Sequence, residues 1–146
     1  MNASASDDLA AMARSLRRGR IWLAASLAGL AAAAAMATTG APTPGRLVVL
    51  AGSFAAGLHG LWLGLRVAFD APIFARWARD AAAGTLDLAA FDAEMIRRRL
   101  MPAAKAGRSL AARIAGATGL RRRQAVMLAV QAALLALAGA MRILHA

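Results

Sequence analysis

The sequence predicts an all-α integral membrane protein: an antiparallel transmembrane hairpin, a third span, and amphipathic cytoplasmic helices between spans two and three. Three observations carry this. Hydrophobic residues make up 60% of the 146, well above the roughly 45–50% of soluble domains. Three long runs contain no charged residue. The charges that remain, 18 basic against 7 acidic, gather at one end of those runs.

The first run is Ile21 to Thr39 and the second Leu47 to Leu65, the latter bracketed by Arg46 and Arg66. At about 1.5 Å per residue each reaches roughly 28 Å, close to the ~30 Å hydrocarbon core. The third, Gln124 to Met141, lies between Arg121-Arg122-Arg123 and Arg142, whose long side chain snorkels outward. Gly40-Ala41-Pro42-Thr43-Pro44-Gly45-Arg46 joins the first two runs. Two prolines in so short a link impose a tight turn, so spans one and two pair as a hairpin. The chain divides into a basic segment (1–20), the hairpin (21–65), a basic amphipathic segment (66–123) and a third span with a short tail (124–146).

Arginine placement sets the expected orientation. Arg14, Arg17, Arg18 and Arg20 precede span one, and the stretch from Arg66 to Arg123 is strongly basic, whereas the hairpin turn and the tail hold Arg46 and Arg142 alone. The positive-inside rule puts the N-terminus and the middle segment in the cytoplasm, and the turn and Leu144-His145-Ala146 in the periplasm. Alanine dominates and Lys105 is the single lysine, a bias typical of a GC-rich bacterial genome, which makes the bacterial inner membrane the expected location. A cleaved signal peptide is the rival for residues 1–37, with Ala35-Met36-Ala37 as a small-x-small site; the apolar run exceeds the usual length of such a signal.

The middle segment reads as three short helices. Asp70-Ala71-Pro72 has the form of a helix start, followed by Ile73, Phe74, Trp77 and Ala81 on a face suited to the membrane interface. Thr85 is the expected cap of the second helix, with Leu88, Phe91, Met95 and Ile96 as its apolar stripe and Pro102 marking its end. Ala103 to Thr118 forms the third, with Gly119 closing it. Asp87, Asp92 and Glu94 read as a solvated face paired with arginines. Arg97, Arg98, Arg99, Arg121, Arg122 and Arg123 form the basic clusters expected to face anionic lipid. Nucleic acid is not an expected partner, because the segment is tethered by spans at both ends and carries no recognisable binding motif.

Span two holds the most informative pattern. Gly52, Ala56, Gly60 and Gly64 recur every four residues, a ladder that lets another helix approach closely. An ionisable residue within a span is a functional hypothesis by default, and His59 is the one this span offers. Ser26, His59 and Gln131 lie at similar depth in their spans and are expected to form one hydrogen-bonded layer. His59 is also the candidate cofactor ligand, for haem iron or a chlorophyll-type magnesium. Over a few residues, Ala55-x-x-x-His59 with Trp62 is similar to the pigment site of bacterial light-harvesting polypeptides, which implies a pigment on His59; those polypeptides have one span.

With no cysteine, a disulfide scaffold and a zinc-thiolate site are excluded. No nucleophile, phosphate-binding loop or two-carboxylate pattern stands out, so a non-enzymatic role is expected, with no bound cofactor or metal. The expected function is a small accessory, assembly or stabilising subunit of a larger inner-membrane complex, with other membrane subunits as partners and homo-oligomers as a variant. A haem or pigment protein using His59, and a small pore-forming protein, are the rivals.

Overall fold

The computed structural model describes residues 3–39 and 41–144; His145 and Ala146, expected beyond the far membrane face, lie outside them. The described residues form five α-helices and no strand: α1 (Ala3–Arg17), α2 (Gly19–Thr38), α3 (Pro44–Ala82), α4 (Leu88–Arg97) and α5 (Leu110–Leu144), with one 3-10 turn at Ala103–Lys105. Three helical rods are each long and apolar enough to cross a membrane: Ala5–Thr38, Pro44–Ala82 and Leu110–Leu144. At about 1.5 Å per residue they measure roughly 50–60 Å, so each has about 20 Å to spare beyond a ~30 Å core.

The surplus is on the basic end of all three. There α1 runs into α2 with only a turn at Arg18 between them. Leu9, Ala13 and Leu16 form its buried face, at the i, i+4, i+7 spacing of an amphipathic helix. Charge alone marks residues 1–20 as a basic segment, and this apolar spacing lies within it. The three residues pack on Val67, Ala71, Phe74, Trp77 and Ala81 of α3 and on Ala117 of α5. A smaller cluster of Ala33, Leu50 and Ala138 closes the opposite end.

Thr43 starts α3, its hydroxyl accepting from the Arg46 amide at 3.3 Å, with Pro44 in the first turn. The buried Arg46 guanidinium reaches back to donate to the Met36 carbonyl at 2.9 Å. That bond satisfies a carbonyl which the end of α2 leaves open, and it ties the hairpin shut.

Two expected breaks are absent. α3 runs straight through Asp70-Ala71-Pro72. An interior proline costs about 3 kcal/mol, but stopping there would expose Phe74 and Trp77, whose burial is worth roughly 1.5–3 kcal/mol each. Their rings pack edge to face, 5.2 Å apart. This face meets protein rather than the membrane interface. Similarly, α5 begins at Leu110 rather than Ala103, with Ser109 accepting from the Ala112 amide at 3.2 Å, and continues past Gly119 to Leu144. Thr85 also has a different role from that expected. Its amide donates to the Asp80 carbonyl at 2.8 Å and that of Gly84, at φ 70°, to Ala81, the double bond pattern that closes a helix. Asp87 is the cap of α4, accepting from the Ala90 amide at 2.9 Å.

α4 ends at Arg97, before Pro102, through the same pattern. Arg99 donates to Ile96 and Leu100 to Met95, both at 2.9 Å. Arg99 takes the left-handed conformation, φ 58°, where glycine is the usual occupant.

Candidate functional site

Two glutamines of α5, seven residues apart, point into the bundle. Gln124 and Gln131 are both fully buried. The Gln131 side-chain amide donates to the Ser26 carbonyl at 3.2 Å, and Ser53 of α3 donates its hydroxyl to the Gln131 main-chain carbonyl at 3.2 Å. One layer towards the basic end, Gln124 donates to the Gly19 carbonyl at 3.4 Å. Gly19 and Ser26 are also seven residues apart, so the second layer repeats the first.

Glycine makes room for both amides. A Cβ on Gly57 would sit 2.3 Å from the Gln131 Nε2, and one on Gly29 would sit 2.5 Å from it. A Cβ on Gly64 would lie 2.7 Å from the Gln124 Nε2. The expected ladder therefore packs within the chain. Gly60 faces Ser26 of α2 and Met127 of α5, Gly52 faces Leu134, and Ala56 is buried. Gly57 and Ser53, which a four-residue repeat skips, belong to the same inner face.

His59 does not join the layer. The structure brings Ser26 and Gln131 together and leaves His59 on the exposed outer side of α3. It precedes Gly60 by one residue, about 100° around the helix; with Gly60 facing inward, its neighbour turns away. Ser53 holds the α3 position in the polar layer instead. The imidazole lies 5.7 Å from the Trp62 ring, and the Arg66 guanidinium sits 5.0 Å over the same indole. This outward column ends the uncharged run of α3.

The basic residues divide between several environments. Arg97 and Arg98 both pair with Glu94, which holds the Glu94 carboxyl below its ordinary range. Arg121 turns inward, bonding Ser15 of α1 and lying 5.0 Å over the Trp22 ring of α2. Arg122 and Arg123 are exposed. Of the three acidic residues read as a solvated face, Asp92 is buried. It binds Arg113 through both oxygens, at 2.8 and 2.7 Å, and accepts from the Gly107 amide at 2.9 Å. Arg113 also lies 5.4 Å over Trp77, so this pair locks α4 and the following loop onto α3 and α5.

Between α3, α4 and α5 at the basic end lies a hollow of about 360 Å³, with Arg66 and Asp70 on one wall and Lys105 and Arg108 at its rim. Asp70 follows Arg66 by one turn, outside the uncharged run. Burial pushes its carboxyl above the ordinary range, and Arg66 opposes that shift. Among the described residues no group of three His, Cys, Asp or Glu could hold a metal ion. Compared with family models, with curated proteins and with solved structures, the chain has no match in any of the three.

Proposed function

We propose that the chain is a small accessory, assembly or stabilising subunit of a larger bacterial inner-membrane complex, acting through helix packing rather than catalysis. Its N-terminus would lie in the cytoplasm and its C-terminus in the periplasm. The observation that supports this reading is the outer face of α2. Ala24, Ala28, Ala31 and Ala35 lie exposed along one side of it, while the glycine ladder is already used within the chain. Short side chains gain little from lipid but let a neighbouring helix come close. An alanine face of this kind on α2 is suited to standing beside other spans.

The rival readings have less behind them. A pigment on His59 would sit outside the bundle, next to Trp62 and the basic end, with lipid as its other wall. A pore needs a polar lining, and here the polar side chains of the three rods are packed against one another.

The test is purification of the tagged protein from its native membrane in mild detergent, followed by mass spectrometry of the co-purifying subunits. A stoichiometric set of larger membrane proteins is expected, lost in Ala28→Phe together with Ala31→Phe. Recovery of the chain alone, or only with copies of itself, overturns the reading.

A further inference from the structure

Two glycines of α5, Gly116 and Gly119, differ from those of α2 and α3. A Cβ added to Gly116 or Gly119 would meet nothing within 4 Å. Neither is needed for packing within the chain, and each borders a hollow on the α3–α5 side. Gly116 lines the one holding Arg66, Lys105 and Arg108. Gly119 lines a second, of about 480 Å³, with His59, Arg122, Arg123, Val126 and Met127. The His59–Trp62–Arg66 column links the two along α3, through ring contacts of 5.7 and 5.0 Å.

The geometry points to a site for one anionic phospholipid in this α3–α5 groove, its phosphate held between Arg66 and Arg123 and an acyl chain lying along Val126 and Met127. Charge and depth both select such a ligand. Among the described residues no ion pair neutralises Arg66, Lys105, Arg108, Arg122 or Arg123, whereas Arg97, Arg98 and Arg113 each have a carboxylate partner. The one acid on the wall, Asp70, is half-buried and lies one turn from Arg66.

The groove lies where the uncharged runs end, at Arg66 and at Arg123-Gln124, which is headgroup depth for a spanning helix. Trp62 is 50% exposed there, as interfacial tryptophans are. A free phosphate would use the cations but not the apolar wall of Val126 and Met127. Basic pockets between spans are known binders of anionic headgroups. This site does not depend on the accessory-subunit reading, and either can fail without the other.

Native mass spectrometry of the full chain, titrated with phosphatidylglycerol, phosphatidylcholine or inorganic phosphate, tests it. One phosphatidylglycerol per chain is expected to persist where phosphatidylcholine is lost. Each of Arg66→Gln and Arg123→Gln lowers that occupancy about five-fold. The double variant Arg97→Gln with Arg98→Gln, which removes twice as much charge elsewhere, leaves it unchanged. Gly119→Leu fills the hollow without altering charge and is expected to abolish binding, with circular dichroism confirming that each variant is folded. Equal retention of the two lipids, equal losses in the groove and α4 variants, or full displacement by inorganic phosphate overturns the proposal.

Discussion

A glutamine amide inside a bundle of apolar helices needs a hydrogen-bond partner and a space, and Gln131 obtains them from different residues. Ser26 supplies the acceptor; Gly29 and Gly57 supply the space from opposite helices. An added methyl at Gly57 would displace the amide and break its bond, so Gly57→Ala is expected to destabilise the bundle by about 1–2 kcal/mol. Adding Gln131→Ala should recover most of the loss, because the close neighbour that remains, Leu30 Cδ2 at 2.8 Å, is the far end of a flexible side chain. Thermal unfolding of the two single variants and the double variant in one detergent measures this coupling, and additive losses would sink the idea. Arg99 offers the opposite case. It occupies the left-handed position that closes α4, and Arg99→Gly removes a penalty of roughly 1 kcal/mol, so its midpoint should rise. The pH response of Asp70 follows from its burial. A carboxyl with a raised folded-state pKa binds its proton more tightly in the folded chain. Its contribution is full below the unfolded pKa and fades as pH rises through the folded value. Asp70→Asn should therefore flatten the decline in stability above the ordinary carboxyl range, seen by comparing midpoints from pH 4 to pH 8. An unchanged slope would show that another group controls it.

The helices respond to burial more than to local punctuation, and this is where reading the sequence stopped short. Uncharged runs of 18 or 19 residues mark the three rods because they match the apolar length that crossing a membrane requires. Pro72 and Gly119 look like ends, yet each lies in a rod whose next turns are held by contacts remote in sequence, Phe74 and Trp77 in one case and Gln124 in the other. The polar layer was half legible. Ser26 and Gln131 are at matching depth, but depth alone does not say which way a side chain faces. Ser53, Gly57, Gly60 and Gly64 together define the inner side of α3 and turn His59 outward, a signal present in the small residues rather than in the ionisable one. Asp92 resembled its neighbours Asp87 and Glu94 in sequence and differs only by its partner, 21 residues away. Asp92→Ala would leave Arg113 buried without its counter-charge, a loss of about 3–5 kcal/mol, and should release α4 to proteases between residues 98 and 109. Glu94→Gln, which removes only exposed pairs, should leave both the midpoint and the cleavage pattern of the chain as they are. Equal protection of the two variants would mean that the Asp92–Arg113 pair does not hold α4 in place.

Taken as one body, the molecule is layered along the axis of its three rods. The aromatic core and basic residues come first, then the Gln124 and Gln131 layers, then the alanine cluster at Ala33, Leu50 and Ala138. Such an asymmetric column is suited to a single orientation. The reason is electrostatic: four arginines precede the first uncharged run and the Arg66–Arg123 stretch is strongly basic, while Arg46 at the other end is folded inward onto Met36. The proposed topology rests on retention of basic segments on the cytoplasmic side. Because the chain has no cysteine, single cysteines can be placed without background. Ala41→Cys, in the turn between α2 and α3, should react in intact cells with a membrane-impermeant maleimide once the outer membrane is opened. Ala104→Cys, in the loop before α5, should react only after the inner membrane is lysed. If Ala104→Cys were labelled first, the orientation would be reversed. If both were labelled together from one side, the α3 rod could not cross the membrane.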